Sequence, residues 1–275
     1  MDLVLLAVAA VWGGATGLLI PRAAYRFAVE PEEPWRTACP AGHAFTGPFG
    51  GWWGPARCTS CRSRVQAPAP YEADASAPYE ADASVPYADK CPAPVPYAPG
   101  ALAPLITVLA CVALAAATGA RPELAGWLLL APVAVLLATV DRRVHRLPDP
   151  LTLPLAAAAV LLLGGAALLP GHAGSWTSGL LGGLVLGGFY LLLFLINPNG
   201  MGFGDVKLAL ALGIALGWYG WEVLFLGGFA GFLFGAVYGL GLVLLRRAGR
   251  KSGIPFGPFM IAGAFTGVLL GALTA

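Results

Sequence analysis

Apolar residues in this chain come in long, nearly unbroken runs parted by short polar stretches, not in the alternating pattern of a half-buried strand. A helix needs about 20 predominantly apolar residues to cross a bilayer. Eight runs approach that length, at 3–21, 101–119, 124–140, 151–170, 176–196, 206–219, 223–245 and 257–274. The sixth is short, and only Arg121, Pro122 and Glu123 part the second from the third. The pattern predicts an all-α polytopic membrane protein with about eight transmembrane helices and a cytosolic insert after the first. Its parts are a first transmembrane helix (1–21), a Cys-containing insert (22–66), a low-complexity linker (67–100) and a seven-helix membrane bundle (101–275).

Composition narrows the class further. The chain is 58% hydrophobic and 11% charged, where an ordinary soluble domain has roughly 45–50% and about 25%. That excludes a disordered chain and a normal water-facing surface. A net charge of +2 leaves no electrostatic footprint for nucleic acid. Asp2 precedes the first run and Arg22 and Arg26 follow it, the reverse of a cleavable signal peptide, so the run reads as an anchor with its N-terminus outside. On that orientation fifteen of the sixteen basic residues, all but Arg121, fall on or at the edge of the cytosolic side. This bias is the positive-inside rule, and it predicts a plasma (inner) membrane protein with its insert in the cytosol. Glycines recur every fourth residue at 179–187, 227–239 and 263–271, the spacing at which helices in lipid approach closely.

The insert has two halves. Residues 70–93 repeat an eight-residue unit, PYEADASA, PYEADASV, PYADKCPA, too polar to bury a core and expected to act as a linker. Upstream, Cys39 and His43 lie four apart, and Cys58 and Cys61 form a C-x-x-C. In a reducing compartment such spacing points to metal before disulfide. A Cys3His set suits tetrahedral zinc, the alternative being reduced thiols. Cys91 and Cys111 read as incidental.

Beyond the second run only Glu123, Asp141, Asp149, Asp205 and Glu222 are acidic. A carboxylate inside a span costs roughly 2.5–3.5 kcal/mol and is a functional candidate by default. Asp141 ends the third run, Asp205 opens the sixth, and the topology brings both to the cytosolic face. Two converging carboxylates can share a proton and activate a water. Asp205 stands at a helix N-terminus, where the dipole favours negative charge, and Asp141 at a C-terminus. That assigns Asp205 as the initial base and Asp141 as the acid. The bland alternative makes Asp205 a helix cap and Asp141 the partner of a neighbouring arginine. Asp149, just before Pro150, reads as an ordinary N-cap.

At these residues the sequence resembles the prepilin peptidases, or type IV leader peptidases. Gly202-Phe203-Gly204-Asp205 with Val206 and Lys207 looks like the family's G-x-G-D motif. Asp141 with Leu147-Pro148-Asp149 and Leu151-Thr152-Leu153-Pro154 is similar to its first aspartate segment, and Ile254-Pro255-Phe256-Gly257-Pro258 to the segment before its last helix. The resemblance implies a membrane aspartic endopeptidase that cuts the basic leader of a prepilin or pseudopilin precursor in the cytosol. Such an enzyme would serve type IV pili or type II secretion, and many members also methylate the new N-terminus using S-adenosylmethionine. It carries Asp141 and Asp205 over as catalytic, and Gly202, Phe203, Gly204 and Lys207 as substrate-binding.

Three positions depart from the family's pattern. The first of its two C-x-x-C pairs lacks its second cysteine in Cys39-Pro40-Ala41-Gly42-His43. Pro21 replaces an Asn, although Arg26 aligns with a family Arg. No Glu opens the second run. These bear on methyl transfer and zinc, not on the aspartates. The other readings are a presenilin-type intramembrane protease and, from a different class, a small-solute transporter.

Overall fold

The structure, a computed structural model, describes residues 2–30, 32–54, 58, 61, 101–198, 200–245 and 255–275. The low-complexity stretch and the loop before residue 255 lie outside these. Among the described residues there are helices α1 (Leu3–Gly17), α2 (Ile20–Phe27), the single turn α3 (Pro48–Gly51), α4 (Leu102–Thr118), α5 (Glu123–Val144), α6 (Asp149–Ala167), α7 (Trp176–Ile196), α8 (Phe203–Gly217), α9 (Trp221–Leu244) and α10 (Gly257–Thr274). The one β pairing among them is an isolated bridge between Ala38 and Ala44.

Six of these helices are long and apolar enough to cross a membrane: α1 with α2 taken as one stretch, α5, α6, α7, α9 and α10. The chain is therefore a multi-pass, all-helical membrane protein. The described residues give six such spans against the expected eight. The two remaining runs form α4, of 17 residues, and α8, of 15, which at about 1.5 Å per residue reach about 26 and 22 Å against a hydrocarbon core of about 30 Å. The first run breaks at Leu18–Leu19 and restarts with Pro21 in the first turn of α2, where the missing N–H costs no helical bond.

The shortest of these apolar helices is the centre. α8 packs on α6, α7, α9 and α10, and Leu208, Ala209, Leu216 and Trp218 behind it are buried. Such contact needs backbone close to backbone, and the glycine stripes supply it. A Cβ on Gly182 would stand 2.6 Å from the carbonyl oxygen of Gly213 across the α7–α8 seam. One on Gly263 would stand 2.6 Å from that of Gly227 across α9–α10. Gly213 and Gly217, outside the regular stripes, serve the same seam.

Three polar details fix the frame. Pro132 lies inside α5, so the carbonyl of Leu128 has no N–H four residues on. Trp12 Nε1 of α1 donates to that oxygen at 2.7 Å. Arg121, the basic residue that broke the charge pattern, donates from Nη1 to the carbonyl of Ala272 at 2.9 Å, meeting an orphan acceptor at the end of α10. Glu123 is wholly buried, and its Oε1 accepts from the N–H of Ala173 at 3.2 Å.

Candidate active site

Asp141 occupies the last turn of α5, which ends three residues on at Val144. His145 takes the left-handed conformation, φ 51, with its N–H donating to the carbonyl of Asp141 at 2.8 Å. This reversal sends Leu147 and Pro148 back into the protein, where both are buried. α6 then starts at Asp149 with Pro148 as its N-cap residue.

Asp205 is the third residue of α8. Its Oδ2 accepts from the N–H of Gly202 at 3.3 Å, closing the first turn on itself. Asp141 Oδ2 accepts from the N–H of Gly257, the first residue of α10, at 3.0 Å. Both carboxyl groups are buried.

Leu147 joins the two. A Cβ on Gly204 would lie 2.8 Å from the Cβ of Leu147, and one on Gly257 would lie 3.5 Å from its Cδ1 and 2.8 Å from Asp141 Oδ2. Three helix ends thus meet around one leucine. Tyr190 of α7 is buried, stacks on Phe232 at 5.5 Å and stands 6.2 Å from the ring of Phe256, which precedes Gly257.

The structure redraws several expectations. Each aspartate accepts a backbone N–H at the start of a helix, so a division of labour argued from helix ends loses its basis. Asp149 stands one residue inside α6 and makes no cap hydrogen bond. Its carboxylate instead meets Lys207 Nζ at 2.6 Å. Lys207 also lies 4.9 Å above the ring of Phe203, and Phe203 is exposed beside Phe194 at 5.3 Å. The space left by Gly204 is filled by Leu147 of the same chain, whereas Gly202 has ordinary room for a side chain. Leu147 and Gly257 stood in quoted segments without a role of their own, and Tyr190 was not singled out from sequence. Tyr190, one phenol in a 21-residue apolar run, was the visible signal.

Away from the aspartates, Cys39, His43, Cys58 and Cys61 come together with ligand atoms all within 4.8 Å of one another. The Cys39–His43 turn closes through Cys39 N–H to the His43 carbonyl at 2.9 Å, with Gly42 at φ +81. Cys39 Sγ stands 4.0 Å from Cys61 Sγ, and His43 Nδ1 stands 3.6 and 3.3 Å from the two sulfurs. Four tetrahedral ligands about 2.0–2.3 Å from a zinc ion would be spaced at about 3.5–3.8 Å. The residues present fit a metal, with His43 completing the set that the missing cysteine leaves short.

Fold and site together define a polytopic membrane protein with two aspartates buried at one end of its bundle. Residues 128–240, which include both, match the type IV leader peptidase family. Relatives named prepilin leader peptidase/N-methyltransferase include one from Aeromonas salmonicida strain A449, 38% identical over 177 residues, 61% of this chain and 58% of the relative. One from Pseudomonas aeruginosa is 34% identical over 143 residues, 49% of this chain and 46% of that protein. One from Bacillus subtilis is 35% identical over 97 residues, 35% and 38% of the two chains. The chain thus spans less than two thirds of the length of the curated relatives it matches. No solved structure matches it.

Proposed function

We propose that this chain is a membrane aspartic endopeptidase that removes the leader of type IV prepilin or pseudopilin precursors at the cytosolic face of the plasma membrane. The observation that supports the reading is the meeting around Leu147 of the helix ends that carry Asp141 and Asp205, inside the segment that matches the leader peptidase family. One carboxylate takes a proton from a water whose oxygen attacks the scissile carbonyl carbon. The other, protonated, gives its proton to the carbonyl oxygen. Collapse of the tetrahedral intermediate then breaks the C–N bond, and the leaving amine takes up a proton. The positive-inside bias supports the cytosolic orientation of site and insert.

Phe203 and Lys207 stand at the rim of this site and are the side chains best placed to meet a substrate. Zinc at Cys39, His43, Cys58 and Cys61 would hold the insert's turns together without taking part in hydrolysis. N-methylation with S-adenosylmethionine is a second proposed activity, supported by the names of the relatives. Neither the presenilin-type nor the transporter reading gains an observation.

The test is cleavage of a co-expressed prepilin by wild type, Asp141→Asn and Asp205→Asn, read by mass spectrometry of the pilin N-terminus. Wild type is expected to cut and both variants to fail. A variant that cuts at the wild-type rate overturns the aspartyl mechanism. The same spectrum reports methylation as an added mass of about 14 Da.

A further inference from the structure

The insert carries an apolar surface that the proposed chemistry leaves unused. Residues 47–54 read Gly-Pro-Phe-Gly-Gly-Trp-Trp-Gly. Within them the rings of Phe49 and Trp53 lie 4.9 Å apart and are 70% and 54% exposed. Trp52, between them in sequence, turns the other way, onto Phe27 at 4.6 Å and under the guanidinium of Arg26 at 3.8 Å. The segment thus commits one tryptophan to the protein and presents the next outward.

The backbone enforces that presentation. Phe49 sits at φ 52, flanked by Gly47 at 130, Gly50 at 63 and Gly51 at 76. Left-handed backbone costs a residue with a Cβ roughly 1–2 kcal/mol. Strain of this kind holding a bulky side chain outward directs attention to what the side chain meets.

The loop's height relative to the bilayer follows from its ties. Arg22 Nη2 donates to the carbonyl of Thr46 at 2.9 Å, and Arg26 Nη1 to that of Gly50 at 3.1 Å. Both arginines belong to α2, which continues the first membrane stretch, 25 residues from Leu3 to Phe27. At about 1.5 Å per residue that stretch outruns a hydrocarbon core of about 30 Å and ends within the headgroup layers, which extend the bilayer to about 40–45 Å. A loop bonded to Arg22 and Arg26 is held at that level. Tryptophan and other amphipathic rings favour this layer.

We propose that the Phe49–Trp53 loop is a membrane-interface anchor, lodging its two rings in the headgroup layer of the bilayer. Because α2 packs on α5, the anchor clamps the Cys/His insert beside the helix that carries Asp141. It does not depend on the peptidase reading.

The test uses the full chain in nanodiscs of phosphatidylcholine and phosphatidylglycerol, with either ordinary or brominated acyl chains. Trp53 emission is taken as the difference between wild type and Trp53→Phe. The expected result is that brominated lipid removes most of that emission while aqueous acrylamide leaves it. Phe49→Asp is expected to exchange the two sensitivities. Quenching of Trp53 by acrylamide alone would mean a water-facing loop and overturn the proposal. Quenching by neither would mean that protein, such as a substrate helix, covers the loop, and overturns it equally. If Trp53→Phe does not fold, Phe49→Trp must add a lipid-quenched emission, and its failure to do so also overturns the anchor.

Discussion

The backbone N–H of Gly257 donates to Asp141 Oδ2 at 3.0 Å across 116 positions of sequence, so the last helix of the chain aims its first N–H at an aspartate of α5. The contact has no slack. A methyl group on Gly257 would stand 2.8 Å from that same oxygen. Gly257→Ala is therefore expected to displace the carboxylate, which is flexible, rather than the fold. Turnover should fall by roughly 10²-fold or more, the scale of a lost acid–base group, while thermal unfolding in detergent shifts little. Cleavage at the wild-type rate would show that Asp141 tolerates displacement.

Replacing either aspartate by Asn should abolish cleavage as completely as replacing both, because groups that act as a unit lose their effect together. Single and double variants assayed on one prepilin check this. Losses that multiply would mean that the two carboxylates act independently.

The Asp149–Lys207 pair joins the first turns of α6 and α8 at 2.6 Å, with the two side chains 58% and 18% exposed. At that exposure a double-mutant cycle between Asp149→Asn and Lys207→Met should give a coupling below about 1 kcal/mol in stability. A larger rise in KM than fall in kcat for Lys207→Met is expected if the lysine meets substrate at the rim.

Trp12 and Pro132 form a linked pair. Trp12→Phe removes the one donor to the Leu128 carbonyl and should cost about 1 kcal/mol. In a Pro132→Ala background the helix supplies its own N–H, and the same substitution should become nearly neutral. Unfolding in detergent of the four proteins measures it, and equal costs in both backgrounds would refute it.

Zinc content should be about one ion per purified chain and fall on His43→Ala or Cys61→Ser, as removal of one of four ligands requires. Elemental analysis decides this without reference to activity. Full metal content in both variants would exclude the cluster as the site.

Much of this was legible beforehand, for definite reasons. Hydrophobic runs marked each membrane helix because lipid leaves the backbone few other options. Scarcity of acidic residues made Asp141 and Asp205 conspicuous. What sequence lacked was the third helix end: nothing local tells that Gly257 would sit on Asp141, or that Gly204 makes room for Leu147. Asp149 misled because Asp before Pro at a helix start carries a strong local cue, and a cue of that kind is silent about Lys207 one helix away. Arg22 and Arg26, read from sequence as topology markers and, for Arg26, as the match of a family Arg, hold the insert to the membrane domain.

The shortness and burial of α8 have a consequence for how the protein is made. Asp205 and Lys207 lie in its first turns, and most of its remaining residues face other helices rather than lipid. At 15 residues such a segment is short for the bilayer on its own, and its close seam with the glycines of α7 is what holds it in place. Bulky substitutions at Gly182 or Gly213 therefore act before catalysis is in question. They are expected to part the seam that seats the helix bearing one aspartate, so that loss of folded protein precedes any loss of turnover.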